Sequence, residues 1–347
     1  MLKDFCSSIR ETSLPVVLYG TGDAADKLLT LLESINVRCV GCFASTGFVR
    51  SRTFHGYKVL SYADARRIWG RMAVVMGFGT HDGDTIRDIT RIAEENEFYC
   101  PCLLSDENGR FFDSSYYRRH IDDFTYSRNL LTDERSRSVF DAVIAFRITG
   151  DIKYILPVGE DERVSWRNLT FTSDETFVDI GAYDGDTARR FLEMTDSRYR
   201  EIVAFEPDRR SFRRAEKRLE SIPRLSLINV PLSSCVESVL FEEGNGRGNR
   251  RSSSGETRET TTLDIALGGK RPTILKFDAE GDEEKIIEGG RGIISSYKPR
   301  IILSVYHRID DFFRLPEKLL SINPGYTKFT LRAARAIPDW DIILIVE

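Results

Sequence analysis

No apolar run in this 347-residue chain approaches the roughly 20 residues needed to span a bilayer; the longest are strand-sized. The first fourteen residues carry Lys3, Asp4, Arg10 and Glu11 without an apolar run, so the pattern of a secretory leader is missing. A cytoplasmic protein that does not engage a membrane is expected. Positive charge is not in surplus either. Fifty Lys and Arg stand against 54 Asp and Glu, a net charge of −4, and no global basic field would gather nucleic acid. The local run Arg247, Arg250 and Arg251 lies in a Gly/Ser-rich stretch and reads as a solvated loop. Cysteine is scarce at six. Cys39 and Cys42 form a CxxC, and Cys100 and Cys102 a CxC, so four sulfurs could hold zinc in principle. Yet Cys39 and Cys42 fall in the apolar run 37–44, which reads as a strand and would aim them at opposite faces. Buried free thiols are expected, with no metal bound.

What the chain does have is a soluble globular composition, 41% hydrophobic and 30% charged, and length for two ordinary cores. Two segments share one grammar, a short β-branched run, then glycines, then a helix. The first is Val16-Val17-Leu18-Tyr19 before Gly20-Thr21-Gly22-Asp23-Ala24-Ala25. The second is Phe177-Val178-Asp179-Ile180 before Gly181-Ala182-Tyr183-Asp184-Gly185-Asp186-Thr187. Each opens a βαβ series, which predicts an α/β fold with two Rossmann-like domains.

In the first series, strands are predicted at 16–19, 37–44, 72–77 and 98–104. Helices are predicted from the glycine turn to about 35, at 62–69 with Ser61 as cap, and at 84–95. The stretch 106–128 has no clear period and reads as connector. A helix at 133–148 ends at Gly150. The second series predicts strands at 177–180, 202–206, 225–230, 273–278 and 300–306. Between and after them come helices at 187–194, 210–219, 263–267, 283–295 and 310–320. Two closing strands, 326–331 and 341–346, can pair as a hairpin. The stretch 235–262 reads as a hairpin or flap. The expected domains are 1–105, a connector 106–171 and 172–347.

The glycine turn of the second series carries the chemistry. Asp184 and Asp186 at a helix entrance would repel a pyrophosphate but suit a ligand with an ammonium and a sulfonium. On charge alone this favours S-adenosyl-L-methionine over a dinucleotide. Glu206, in Ala204-Phe205-Glu206-Pro207, ends a strand where an acid can accept both ribose hydroxyl hydrogens; it could equally cap the next helix. Asp179, Gly181, Tyr183, Gly185, Thr187 and Pro207 complete the candidate cofactor set.

These segments resemble the FkbM family of methyltransferases. The resemblance is carried by 177–187, Phe205-Glu206-Pro207, Thr261-Thr262-Leu263-Asp264, Leu275-Lys276-Phe277-Asp278-Ala279-Glu280-Gly281, Gly289-Gly290 and Ser304-Val305-Tyr306-His307 before Asp310-Asp311. Upstream, 131–136 and 147–151 look like the lead-in of one branch, so the resemblance covers roughly 130–347. It implies a seven-stranded class I sheet and methyl transfer from S-adenosyl-L-methionine, usually to oxygen. The acceptor it implies is a hydroxyl of a sugar, nucleotide sugar or natural product. One departure stands out. Where many members carry a Leu-Arg-His-His type sequence, this chain has Leu331-Arg332-Ala333-Ala334.

In this fold the ends of the fourth and fifth strands face the transferable methyl. Lys276, Asp278 and Glu280 alternate and would share a face if extended, and His307 lies just past the fifth strand. A carboxylate or His there can take the acceptor's proton; alternatively Asp278, Glu280 and His307 could hold a divalent metal. A hydrogen-bonding role for Asp278 and a capping role for Glu280 stay open.

The first domain's Gly20 to Ala25 is a GxGxxA, a weak nucleotide signal. The acid expected after its second strand is absent, since Phe43-Ala44-Ser45-Thr46 supplies only hydroxyls. Gly56-Tyr57-Lys58-Val59-Leu60 looks similar to the small domain that precedes some sugar-modifying enzymes. Nucleotide binding, a scaffold role and pairing of two copies all stay open. His55 and His81 read as solvated loop residues. Two rivals remain, a non-catalytic binding protein on a methyltransferase scaffold and an oxidoreductase using the first domain.

Overall fold

The structure, a computed structural model, describes residues 2–45, 47, 53–106, 109, 111–161, 166, 169–241 and 256–347. Thr46 and the basic run Arg247, Arg250 and Arg251 lie outside the described residues. By packing, the chain divides into two units. One comprises Met1–Asp122, Arg137–Asp161 and Ala333–Asp341; the other comprises Asp123–Ser136, Glu162–Arg332 and Ile342–Glu347. This division differs from the expected cuts at 105 and 172, because each unit takes in sequence-distant segments.

The first unit is built on strands β1 (Val16–Tyr19), β2 (Cys39–Phe43), β3 (Thr53–Phe54), β4 (Tyr57–Leu60), β5 (Ala73–Met76) and β6 (Glu97–Tyr99), in the order β3-β4-β2-β1-β5-β6. All neighbours are parallel except β3 and β4. Of the four expected strands, 16–19 is found whole and 37–44 and 72–77 are shortened to β2 and β5, while of 98–104 only 98–99 is strand, within β6; Gly56 to Leu60 forms the turn and second strand of the β3–β4 hairpin. Its GxGxxA occupies the turn from β1 into helix Asp23–Ser34, whose Leu28, Leu29 and Leu32 pack on the sheet. Ser61 caps helix Tyr62–Trp69 through the Asp64 amide, as expected. Cys39, Cys42, Cys100 and Cys102 are buried free thiols, and burial pushes Cys42 up to about 11. The stretch 106–128 is not irregular; it holds helices Ser114–Arg119 and Ile121–Leu130. Asp113 caps the first of these through the Tyr116 amide, a local signal in a segment without apolar period.

The second unit carries a seven-stranded sheet. Its strands are β7 (Thr176–Ile180), β8 (Glu201–Phe205), β9 (Leu225–Ile228), β12 (Ile274–Phe277), β13 (Arg300–Ser304), β14 (Phe329–Ala333) and β15 (Ile342–Val346). The order is β14-β15-β13-β12-β7-β8-β9, with β15 antiparallel to β13 and β7, β8, β9, β12 and β13 parallel. Strands β10 (Ser238–Phe241) and β11 (Glu256–Glu259) form a separate antiparallel hairpin, as the stretch 235–262 suggested. Phe177 of β7 stacks on Phe191 of helix Asp186–Met194, ring centroids 4.4 Å apart, which lays that helix on the sheet. The single helix expected at 283–295 is two, Glu283–Gly289 and Arg291–Tyr297. The break falls at Gly289-Gly290, where a Cβ on Gly289 would sit 2.1 Å from the Ser233 carbonyl. Among the described residues, no helix is long and apolar enough to cross a membrane.

Candidate active site

The site is assembled at the carboxyl ends of β7, β8, β12 and β13, where a parallel sheet exposes its loops. Register does the first part of the work. Lys276 of β12 lies directly beside Asp179 of β7, and its Nζ approaches Asp179 Oδ1 at 3.2 Å. The same ammonium donates to the Gly181 carbonyl at 3.1 Å and stands 3.5 Å from Asp278 Oδ2. Burial alone would drive its proton off, but Asp179, Asp278 and Asp186 outweigh that and hold Lys276 charged. Lys276 therefore serves as a buried counter-charge, and its place is inside the sheet.

Asp179 is fully buried, and neither carboxylate oxygen has a hydrogen bond of good geometry. Burial pushes its pKa up to about 6, with Lys276 opposing and Asp186 and Asp278 adding to the rise. Glu206 stands one residue past β8. Its Oε2 accepts the Tyr183 amide at 2.6 Å and its Oε1 the Asp208 amide at 2.8 Å. Burial lifts it to about 7 against the lowering effect of these two amides. Helix capping falls to Asp208, which accepts the Ser211 amide at 2.6 Å and keeps a second oxygen without a partner. Glu206 thus ties the glycine turn to the next loop. Pro207 offers its carbonyl to Asn229 and Arg258.

The turn itself is tight. Gly181 has φ +82°, and a Cβ there would fall 1.8 Å from the Asp278 carbonyl, so glycine is required by the β12 loop. Tyr183 adopts φ +49° with the Arg214 guanidinium 5.0 Å over its ring. Asp184 pairs with Arg218 at 2.7 Å. Gly185 precedes the helix, and Asp186 accepts the Thr187 amide at 2.8 Å.

On the β12 and β13 side, the strand ends at Phe277, so the alternation expected through Glu280 stops there. Glu280 sits in the following turn at φ +52°. His307 nevertheless gathers the acids. Its Nε2 lies 3.4 Å from Asp278 Oδ1 and 3.9 Å from Glu280 Oε2, and its Nδ1 lies 2.8 Å from Glu283 Oε1. Burial opposes its charge, but Glu283, Asp278 and Glu280 raise it to about 10. As a free imidazole base it is thereby disfavoured. Glu283, absent from the sequence reading, is 1% exposed and also accepts the Ala279 amide at 2.7 Å. Asp311, likewise missed, accepts the His307 and Arg308 amides and is raised by burial and by Glu283. Both sit in runs of acids, Glu280 to Glu284 and Asp310-Asp311, where sequence alone does not say which carboxylate turns inward.

A seven-stranded sheet of this order, with its acids at the carboxyl ends of the parallel strands, is a class I methyltransferase fold. Residues 179–327 match the family model described as the Methyltransferase FkbM domain. Over 158 residues the chain is 27% identical to the 2-O-methyltransferase NoeI of Sinorhizobium fredii, covering 38% of this chain and 63% of that relative's length. The crystal structure of a methyltransferase FkbM from Methylobacillus flagellatus KT superposes with a TM-score of 0.73 at 21% identity, covering 99% of this chain and 92% of the other.

Proposed function

We propose that this protein is an S-adenosyl-L-methionine-dependent O-methyltransferase acting on a hydroxyl of a sugar, nucleotide sugar or natural product. The observation that carries the reading is the charge of the β7–β8 edge. Asp179, Glu206 and Asp208 are each less than a tenth exposed, and Lys276 is the buried cation that faces Asp179. Buried carboxylate oxygens on Asp179 and Asp208 that lack a hydrogen bond of good geometry, and the raised carboxyls of Asp179 and Glu206, describe a site that a cationic ligand would relieve. That fits S-adenosyl-L-methionine and would repel a pyrophosphate. Glu206 would hold the ribose hydroxyls, while Asp179, Asp184, Asp186 and the Gly181–Tyr183 backbone would line the amino-acid side.

When bound, the cofactor supplies a methyl on a positively charged sulfur; transfer forms a carbon–oxygen bond, leaves the carbon–sulfur pair on sulfur and releases the hydroxyl proton. Asp278, half-buried beside the protonated His307, is the carboxylate assigned to that proton. Positioning of the two reactants would supply much of the remaining acceleration. The likeness to NoeI, a 2-O-methyltransferase, supports oxygen as the acceptor atom.

Calorimetric titration of S-adenosyl-L-methionine and S-adenosylhomocysteine into the wild type and Glu206→Ala tests the reading. Micromolar binding to the wild type, weakened at least tenfold in the variant, is expected. A folded, ligand-free wild type that binds neither compound would overturn it and favour a non-catalytic scaffold.

A further inference from the structure

Asp278, Glu283 and His307 each place a ligand atom within 4.8 Å of the other two. These three do not play equal parts. Glu283 Oε1 is taken up by His307 Nδ1 and the Ala279 amide, so this carboxylate orients the ring. The ring is buried, and its far nitrogen, Nε2, has no hydrogen-bond partner. That atom faces Asp278 Oδ1 at 3.4 Å and Glu280 Oε2 at 3.9 Å. Ligand atoms sharing one ion at about 2.1 Å stand roughly 3 to 4 Å from one another, so the two separations measured from Nε2 suit a common ion. A buried carboxylate on the opposite ring nitrogen is the arrangement that fixes a metal-ligating histidine in position.

We propose that His307 Nε2, Asp278 and Glu280 form a divalent-cation site, with Glu283 as the positioning residue. One imidazole and two carboxylates make a mixed nitrogen and oxygen set suited to Mn²⁺ or Zn²⁺. The site lies at the β12 and β13 ends, the acceptor side of the proposed reaction. Its catalytic use rests on that reading, although binding of the ion does not. An acceptor hydroxyl entering the coordination sphere would give up its proton more readily, to solvent, and Asp278 would act as ligand in place of base.

The test uses the full chain stripped with chelator, with Mn²⁺ alone as probe and free ion followed by electron paramagnetic resonance. One ion per chain is expected. His307→Gln and Asp278→Asn should each abolish saturable binding, and Glu283→Gln should weaken it roughly tenfold to a hundredfold. A folded wild type without saturable binding would overturn the proposal, as would equal binding by wild type and His307→Gln. Should those variants fail to fold, wild-type NMR decides. Mn²⁺ should broaden the ring signals of His307 ahead of His55, His81 and His120, assigned by replacing the latter three. Uniform broadening, or none, would overturn the site. Neither readout involves the cofactor, so failure here and failure of cofactor binding are separate results.

Discussion

Glu206 shows how one side chain links fold and ligand. Its carboxyl is raised from the ordinary value of 4.5 to about 7 by burial. A raised acid binds its proton more tightly folded than unfolded, so its contribution to stability falls as pH climbs from about 4.5 to about 7. Ligand binding should run the other way, because the ionised form accepts hydroxyl hydrogens. Affinity for S-adenosylhomocysteine is expected to rise roughly tenfold between pH 6 and pH 8, and Glu206→Gln should flatten that profile, both read by calorimetry. Gly181 gives a second residue-scale prediction. Gly181→Ala meets a backbone carbonyl at positive φ, whereas Gly268, also at positive φ, faces open space. Urea denaturation should show a loss of about 3 kcal/mol or more for Gly181→Ala. Gly268→Ala should lose about 1–2 kcal/mol. Equal losses would show that conformation, and not the Asp278 carbonyl, fixes Gly181. The glycine turn and Glu206 were legible because each follows a strand at a diagnostic spacing. Glu283 and Asp311 were not, since inward orientation depends on how the following helices pack.

At the scale of elements, local patterns located most strands and helices. What they could not report was a contact imposed from far away. Helix Glu134–Thr149 carries Arg147, whose side chain is fully buried and meets Asp339 at 2.6 Å, 192 residues on. Asp339→Ala would leave a buried guanidinium without its carboxylate, so a loss of about 3–5 kcal/mol is expected in urea denaturation. Arg147→Met combined with Asp339→Leu should recover most of it, because two apolar groups carry no desolvation penalty. A double variant as unstable as the single one would show that the charges are needed for more than pairing. The broken helix at Gly289-Gly290 is the same lesson in reverse. Its buried isoleucines, Ile286, Ile287, Ile293 and Ile294, run through both halves, and the Ser233 carbonyl lies where a Cβ on Gly289 would stand.

For the whole molecule, each packing unit takes in segments from both sides of residue 172. The first unit includes Ala333–Asp341, where Ile337 and Thr80 exchange backbone hydrogen bonds at 2.7 and 3.0 Å and Glu160 bridges Ala334. The second unit includes Asp123–Ser136, where Thr132 donates to the Phe329 carbonyl and Ser136 receives the Leu331 amide. A fragment beginning at Thr172 would therefore lose partners for both β14 and the link to β15. It is expected to lack the cooperative thermal transition of the full chain, by circular dichroism and calorimetry. A fragment that melts cooperatively near the full-length temperature would show that the sheet alone suffices. Ala333-Ala334, the departure from the His-His pattern, lies in the first unit's Ala333–Asp341 segment, with Ala334 engaged by Glu160 through backbone pairing.

Most strands and helices of the two α/β series and the acidic glycine turn follow from the sequence by itself, because alternation, helical period and turn residues act between near neighbours; the seven-stranded sheet came with the family resemblance. Charge at the turn likewise needs only the residues there. Tertiary structure alone decided that Lys276 neutralises Asp179, that Gly181 yields to a neighbouring carbonyl, and that Glu283 holds His307 toward Asp278 and Glu280. Each of these depends on parallel register or loop packing between segments about 24 to 97 residues apart, and no local pattern encodes such distances.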